Sequence, residues 1–249
     1  MAPSTIVLIT GANRGIGLGL TERFLAEAAH TVIAAVRDPA HATAQALQKL
    51  PKDTDSRLVV VKIDASIEQD AHDAVAELQQ KYGIDHLDIV IANAGIGYIF
   101  PTVAEVKIAD IRNHMEPNVY GMVALYQATR ALLKKSAREP IFLPMGSSAG
   151  LLVNHLPIPN AAYAPTKTAV NWYTIRINAE DEWLNCFSID PGHVATSLGN
   201  RAAQAVGMGD HAPLSVQDSC EGMMQVFAQA SKKKYGGKLV VYTGEISSW

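Results

Sequence analysis

The sequence predicts one α/β domain: a doubly wound, mainly parallel sheet of seven strands with helices on both faces. Three observations carry this expectation. Short β-branched or apolar runs recur along the chain, segments with helical spacing lie between them, and no Pro/Gly/Ser linker interrupts the alternation. A first buried strand is expected over 5–10, followed by a helix over 17–28, a strand over 31–36 and a helix over 40–50. A strand over 58–63 leads to a helix over 67–82, and a strand over 87–92 to a helix over 119–135. The remaining strands are expected over 141–145, 186–189 and 239–243, with a long helix over 162–182. Parallel neighbours joined by helices require βαβ crossovers, which cover both faces of the sheet.

At 249 residues the chain is long for one domain at about 150 residues each, yet α/β folds reach this size as one unit. Hydrophobic residues make up 48% and charged residues 18%, a globular composition that argues against disorder and against a disulfide scaffold. Lys plus Arg is 21 against 24 Asp plus Glu, a net charge of −3, and the cations are spread out apart from Lys232, Lys233 and Lys234. Nucleic acid is not an expected partner. Cys186 and Cys220 lie far apart without metal-ligand spacing, so buried thiols are expected and no metal. The apolar run at 6–9 lacks a preceding basic residue and meets a glycine-rich turn, which marks a strand and not a signal peptide. No stretch approaches the roughly 18–20 apolar residues that span a bilayer. A cytoplasmic protein without membrane contact is expected.

Two stretches break the alternation. Residues 151–160 carry two prolines without helical period, and 193–213 are loop-like, with Gly199, Gly207, Gly209 and Pro213. Both follow an expected strand at the carboxyl edge, where open α/β sheets bind ligands, so they are expected to form the walls and lid of a substrate pocket.

The first strand runs into Thr10-Gly11-Ala12-Asn13-Arg14-Gly15-Ile16-Gly17. Glycines at 11, 15 and 17 permit a tight turn and close approach of backbone N–H groups to a phosphate, which the following helix amino end favours. A purely structural turn is the alternative. The spacing resembles the Thr-Gly-x-x-x-Gly-x-Gly segment of the short-chain dehydrogenase/reductase family. Three more segments resemble that family in the right order: Ile91-Ala92-Asn93-Ala94-Gly95, Tyr163-Ala164-Pro165-Thr166-Lys167 and Asp190-Pro191-Gly192-His193-Val194-Ala195-Thr196. The resemblance covers nearly the whole chain and implies a Rossmann domain. It further implies a nicotinamide cofactor held by Gly11, Asn13, Arg14, Gly15, Ile16, Gly17, Asn93, Ala94, Gly95, Tyr163, Lys167, Pro191, Gly192, Val194 and Thr196.

Charge bears on which nicotinamide cofactor. An acidic residue at the end of the second strand suits the ribose 2′-hydroxyl of NAD, whereas a 2′-phosphate needs cations. That strand ends Ala34-Ala35-Val36-Arg37, and Arg14 sits in the glycine-rich turn, so NADP (NADPH) is expected. Solvated surface arginines are the alternative, and Asp38, one residue too late, competes with this reading. Asp64 occupies the family's adenine-contacting position, or equally caps a turn with Ser66.

Hydride transfer to a carbonyl leaves an alkoxide that needs a proton and charge stabilisation. Tyr163 and Lys167, at i and i+4, are expected on one helix face. An ammonium about 4 Å from the phenolate would lower an ordinary pKa of about 10 by up to about three units. A surface pair is the alternative. Pro165 fits only in a first turn, so the helix is expected to start near Ala161 or Ala162. The family's substrate-holding serine corresponds to Ser147, selected by its spacing to Gly150, with Ser148 a bystander and a capping serine as the alternative. Asn118 resembles the asparagine whose backbone carbonyl holds a water beside the lysine; it also reads as a helix-start residue.

The segment 196–200 and the ending Gly236-Gly237-Lys238, Val241-Tyr242-Thr243-Gly244, Trp249 resemble fungal ketoreductases of the norsolorinic acid ketoreductase type, and carbonyl reductases of the sniffer kind are similar. This implies an oxidoreductase that reduces an aryl or polyketide-derived carbonyl in secondary metabolism, acts on a small-molecule carbonyl substrate and forms a homo-oligomer. Imine reduction or alcohol oxidation on the same site, and an NADP-sensing regulator without turnover, are the rival expectations.

Overall fold

In the computed structural model, residues 4–153 and 158–249 are described. All six residues of β1 (Thr5–Thr10) are buried, and its side chains alternate between two cores. Ile6 and Leu8 pack on one side with α3 (Glu68–Tyr82), α5 (Gly121–Leu133) and α6 (Ala164–Glu180). Val7 and Ile9 pack on the other with α1 (Gly15–Leu25), α2 (Ala42–Ala46) and α8 (Val216–Ala228). A strand buried on both faces reads as one apolar run because period-two alternation sends every residue into one core or the other.

β2 (His30–Val36), β3 (Arg57–Lys62), β4 (Ile89–Ala92), β5 (Ile141–Pro144) and β6 (Asn185–Cys186) complete a parallel six-stranded sheet in the order β3-β2-β1-β4-β5-β6. The order reverses between β1 and β4, which opens the crevice at their carboxyl ends where doubly wound sheets bind ligands. β7 (Ser188–Asp190), β8 (Leu239–Val241) and β9 (Ile246–Ser247) form a second, three-stranded sheet, with β8 and β9 antiparallel.

The expectation of seven strands in one sheet therefore needs a correction. The run expected over 186–189 divides at Phe187 into β6, which pairs with β5, and β7, which pairs with β8. Proline at the end of β5 has no amide to extend the ladder. Beyond it a bridge between Met145 and Ile189 and a 2.8 Å bond from Gly146 N to Ile189 O keep the two sheets in line.

Among the described residues four further helices lie outside the segments singled out by periodicity: α4 (Ile108–Met115), α7 (Ser197–Ala205), α8 and α9 (Lys232–Tyr235). α7 occupies part of a stretch expected to be loop. Gly199 suggested a loop, yet it is required there by contact, since a Cβ would lie 1.9 Å from Val194 O. The Thr196 hydroxyl caps the helix by accepting from Gly199 N at 3.1 Å. Of the other expected loop, residues 154–157 lie outside the described residues. Among the described residues no helix is long and apolar enough to cross a membrane.

Candidate active site

The glycine-rich turn joins β1 to α1, with Gly11 and Gly15 at positive φ. Gly17 is set by contact: a Cβ there would lie 2.2 Å from Gly11 O and 2.6 Å from Asn93 Nδ2, so the helix can approach the turn this closely only without a side chain. No side chain caps α1. Its first-turn amides are therefore available to an anion. Asn93 straps the end of β4 to the turn, donating from Nδ2 to Thr10 O at 2.8 Å, while Ala94 N donates to Thr10 Oγ1 at 2.9 Å. Asn13 Nδ2 donates to Thr43 Oγ1 of α2 at 2.6 Å.

Arg14 and Arg37 are both exposed, and neither forms an ion pair among the described residues. Asp38 turns its carboxylate onto its own turn, with Oδ1 accepting from Ala40 N at 2.9 Å. Asp64 behaves as a turn-capping residue: Oδ1 accepts from Ser66 N at 2.9 Å, and its own amide donates to Asp70 Oδ2 at 2.8 Å. A nicotinamide dinucleotide fits this cradle: a glycine turn with positive-φ backbone, an uncapped helix amino end and two unpaired guanidiniums lie at one sheet edge.

The catalytic candidates meet beyond the end of β5. Ser147 is extended and leads into a single 3-10 turn, Ser148–Gly150, in which its Oγ accepts from Ala149 N at 3.1 Å. It thus caps the turn and also faces the Tyr163 phenol. The spacing to Gly150 has a steric cause. A Cβ on Gly150 would sit 2.5 Å from Lys167 C, so the turn rests directly on α6 at Lys167.

α6 begins at Ala164, later than the expected start near Ala161 or Ala162; Tyr163 is its N-cap and Pro165 falls in the first turn, where its missing N–H leaves no gap. Lys167 is buried, donates from Nζ to Met145 O at 2.7 Å and lies 5.4 Å from the Tyr163 ring centroid. Asn118 lies in a π-helical turn, Glu116–Tyr120, between α4 and α5. Pro117 cannot donate to a regular helix, and the wider turn accommodates it. The Asn118 side chain accepts from Ile96 N at 2.8 Å and donates to Ile96 O at 2.9 Å and Thr166 Oγ1 at 3.1 Å, tying the segment after Gly95 to α6.

The electrostatics depart from expectation. Burial pushes the Tyr163 phenol above its ordinary range, the Asp190 carboxylate adds to the shift, and the Ser147 hydroxyl opposes it. Burial lowers the Lys167 ammonium to about 8, against the pull of Asp190. The expected net lowering of Tyr163 is not seen: burial and the Asp190 carboxylate outweigh it, and the Lys167 ammonium, 5.4 Å from the ring centroid, is directed at Met145 O. A phenol held in this way stays protonated near neutrality.

The segment 190–196 closes the site. Gly192 has φ +80, Val194 is buried and bridges to Leu214, Ser219 Oγ donates to Pro191 O at 2.7 Å, and a Cβ on Gly15 would come within 3.2 Å of Thr196 Cγ2. Two neighbours of Tyr163 escaped the sequence reading. A Cβ on Gly97 would lie 3.2 Å from Tyr163 Cδ2 and 3.3 Å from Leu198 Cγ, so Gly97 and Leu198 border the phenol. Gly97 carries no pattern that marks it. Asp190 has one visible signal, an acid closing a buried apolar strand.

Comparison with known proteins agrees with this geometry. The model of the family described as short chain dehydrogenase matches residues 5–207. A norsolorinic acid ketoreductase of Aspergillus parasiticus is 36% identical over 242 residues, covering 96% of this chain and 89% of that protein. The NADPH-bound carbonyl reductase from chicken fatty liver superposes with a TM-score of 0.86 at 28% identity, covering 99% of this chain and 100% of that one. The carbonyl reductase Sniffer of D. melanogaster, at 23% identity, shares the fold with a TM-score of 0.84 over 99% of this chain and 100% of its own.

Proposed function

The chain belongs to the short-chain dehydrogenase family, and on that premise we propose that it is an NADPH-dependent ketoreductase reducing an aryl or polyketide-derived ketone to an alcohol. The observation that carries this reading is the convergence of Ser147, Tyr163 and Lys167 at the end of β5, beside a glycine turn flanked by Arg14 and Arg37. NADPH, when bound, supplies the hydride.

The remaining chemistry falls to the chain. Tyr163 gives its phenolic proton to the carbonyl oxygen as negative charge develops there, and Ser147 Oγ holds that oxygen by donating a hydrogen bond. The Lys167 ammonium places positive charge beside the phenol and supports its reprotonation, with the Asn118 backbone carbonyl holding a water on the relay. Gly11, Asn13, Gly15, Ile16 and Gly17 take the pyrophosphate region. Arg14 and Arg37 take the 2′-phosphate, and Asp64 lies toward the adenine. Asn93, Ala94, Gly95, Pro191, Gly192, Val194 and Thr196 line the nicotinamide half. Substrate is expected to enter past Gly97 and Leu198. In this reading 1–249 is one catalytic domain of a cytoplasmic homo-oligomer.

Two measurements test it. NADPH should give a higher kcat/KM than NADH in a screen of aryl ketones, quinones and polyketide intermediates; a preference for NADH overturns the cofactor assignment. Tyr163→Phe should lower carbonyl turnover by about 10²–10⁴-fold with NADPH affinity retained, and unchanged turnover would show that another group supplies the proton.

A further inference from the structure

Asp190 closes β7 with a side chain only 6% exposed, in the wall behind Tyr163 and Lys167. Its two carboxylate oxygens are committed to two different loops. Oδ2 accepts from Ser148 N at 2.7 Å, within the turn that Ser147 opens, and Oδ1 accepts from Gly192 N at 2.9 Å, in the turn that starts the closing segment. Its backbone is held as well, since Asp190 O accepts from Tyr242 N at 2.8 Å. Among the described residues it forms no ion pair, although burial of an unpaired carboxylate is costly. Amide bonds to both oxygens offset that cost.

The turn bearing Ser147 is also held before it, by the 2.8 Å bond from Gly146 N to Ile189 O, and after it at Gly150, which rests on α6. Gly146 and Gly150 fix the two ends of the segment and leave the bond at Ser148 N to hold its middle, where Ser147 and Ser148 stand. The bond at Ser148 N is the side-chain tether next to Ser147, and it helps set where the Ser147 hydroxyl stands relative to Tyr163. We infer that Asp190 is a positioning residue: its buried carboxylate bridges the Ser147 turn to the Gly192 turn and so sets the Ser147 hydroxyl against the Tyr163 phenol. This inference rests on the reductase reading for its kinetic consequence and on hydrogen bonds alone for its structural one. The same carboxylate raises both Tyr163 and Lys167, which favours the protonated phenol that reduction requires.

The test uses the full-length protein with NADPH and either acetophenone or 1,4-naphthoquinone. Asp190→Ala should lower kcat about ten- to a hundredfold, keep the NADPH Kd within about threefold and leave KM less affected than kcat. In a Ser147→Ala background the same substitution should cost much less, because the serine is gone and only the tether to Gly192 remains. Asp190→Asn keeps one acceptor oxygen and should fall between wild type and Asp190→Ala. Equal losses in both backgrounds overturn the inference, as does an unchanged kcat.

Amide hydrogen exchange provides an arm independent of turnover. Segments 147–150 and 190–194 should lose protection together in Asp190→Ala while β1 and α5 keep theirs; retained protection at Ser148 overturns the tether. Wild-type protein that reduces neither carbonyl counts against the reductase reading and leaves the exchange experiment to decide the role of Asp190.

Discussion

At the end of β1 the turn is shaped by close backbone approach, with Asn93 as a strap: Gly17 lies so near Gly11 O that a methyl group has no room, and α1 begins without a side-chain cap. At the end of β5 the chain is held by side chains: Lys167 reaches Met145 O, Asp190 spans Ser148 and Gly192, and Asn118 ties Ile96 to Thr166. The first region offers amides and space to a phosphate. The second offers protons and charges, and it holds a cation in a dry place to do so. Substitutions in the cofactor region should act through fit, and those in the catalytic region through chemistry, even where stability moves the other way.

Lys167→Met probes that contrast most sharply. Turnover should fall by about 10²–10⁴-fold, yet the protein should become more stable at neutral pH. The ammonium sits at about 8 against an ordinary 10.5, so below about pH 8 the native state carries a buried charge that the unfolded chain keeps in water. That cost, roughly 3 kcal/mol, is relieved as pH rises from about 8 toward 10.5. Losing the hydrogen bond to Met145 O returns about 1–2 kcal/mol, which leaves a net gain of about 1–2 kcal/mol and a Tm rise of several degrees at pH 7. The gain should shrink by pH 10. A lower Tm at pH 7, measured by calorimetry, would break the comparison.

Gly17→Ala should do the opposite. Overpacking against Gly11 O is expected to cost about 1–3 kcal/mol of stability and to weaken NADPH binding, with kcat at saturating cofactor the least affected quantity. Thermal melts and fluorescence titration check it. Arg37→Ala should raise the KM for NADPH by about ten- to a hundredfold while leaving that for NADH and the Tm nearly unchanged. The smallest effect is expected at the mouth of the site. Gly97→Ala places a methyl 3.2 Å from Tyr163 Cδ2, and it should raise KM several-fold for bulky aryl ketones and little for small aldehydes. Equal changes for both would remove Gly97 from the substrate wall.

The cofactor region was the more legible in sequence, and for a physical reason. Positive-φ glycines and close approach leave residue-type signatures at short spacing, so Gly11, Gly15 and Gly17 stand out beside a buried strand. Tyr163 and Lys167 were legible in the same way, as an i,i+4 pair. The start of α6 at Ala164 is hard to read from sequence because the Asn160-to-Tyr163 turn and a helical turn differ little in composition. Gly199 suggested loop because its reason for being glycine, the carbonyl of Val194, comes from a different segment. The break at Phe187 was hidden because a strand that changes partners keeps the same apolar character.

By itself the sequence determined the parallel α/β architecture, the glycine turn and the Tyr163 and Lys167 pair, which are written in local pattern and order, while Ser147 and Asn118 became candidates through the resemblance to the family. Only the tertiary structure decided how charge is disposed around them. Lys167 turns to Met145 O, Tyr163 is held protonated, and Asp190 joins two loops from behind. Those outcomes depend on burial and on carbonyls and amides brought from distant segments, and backbone groups carry no residue-type signal in a sequence.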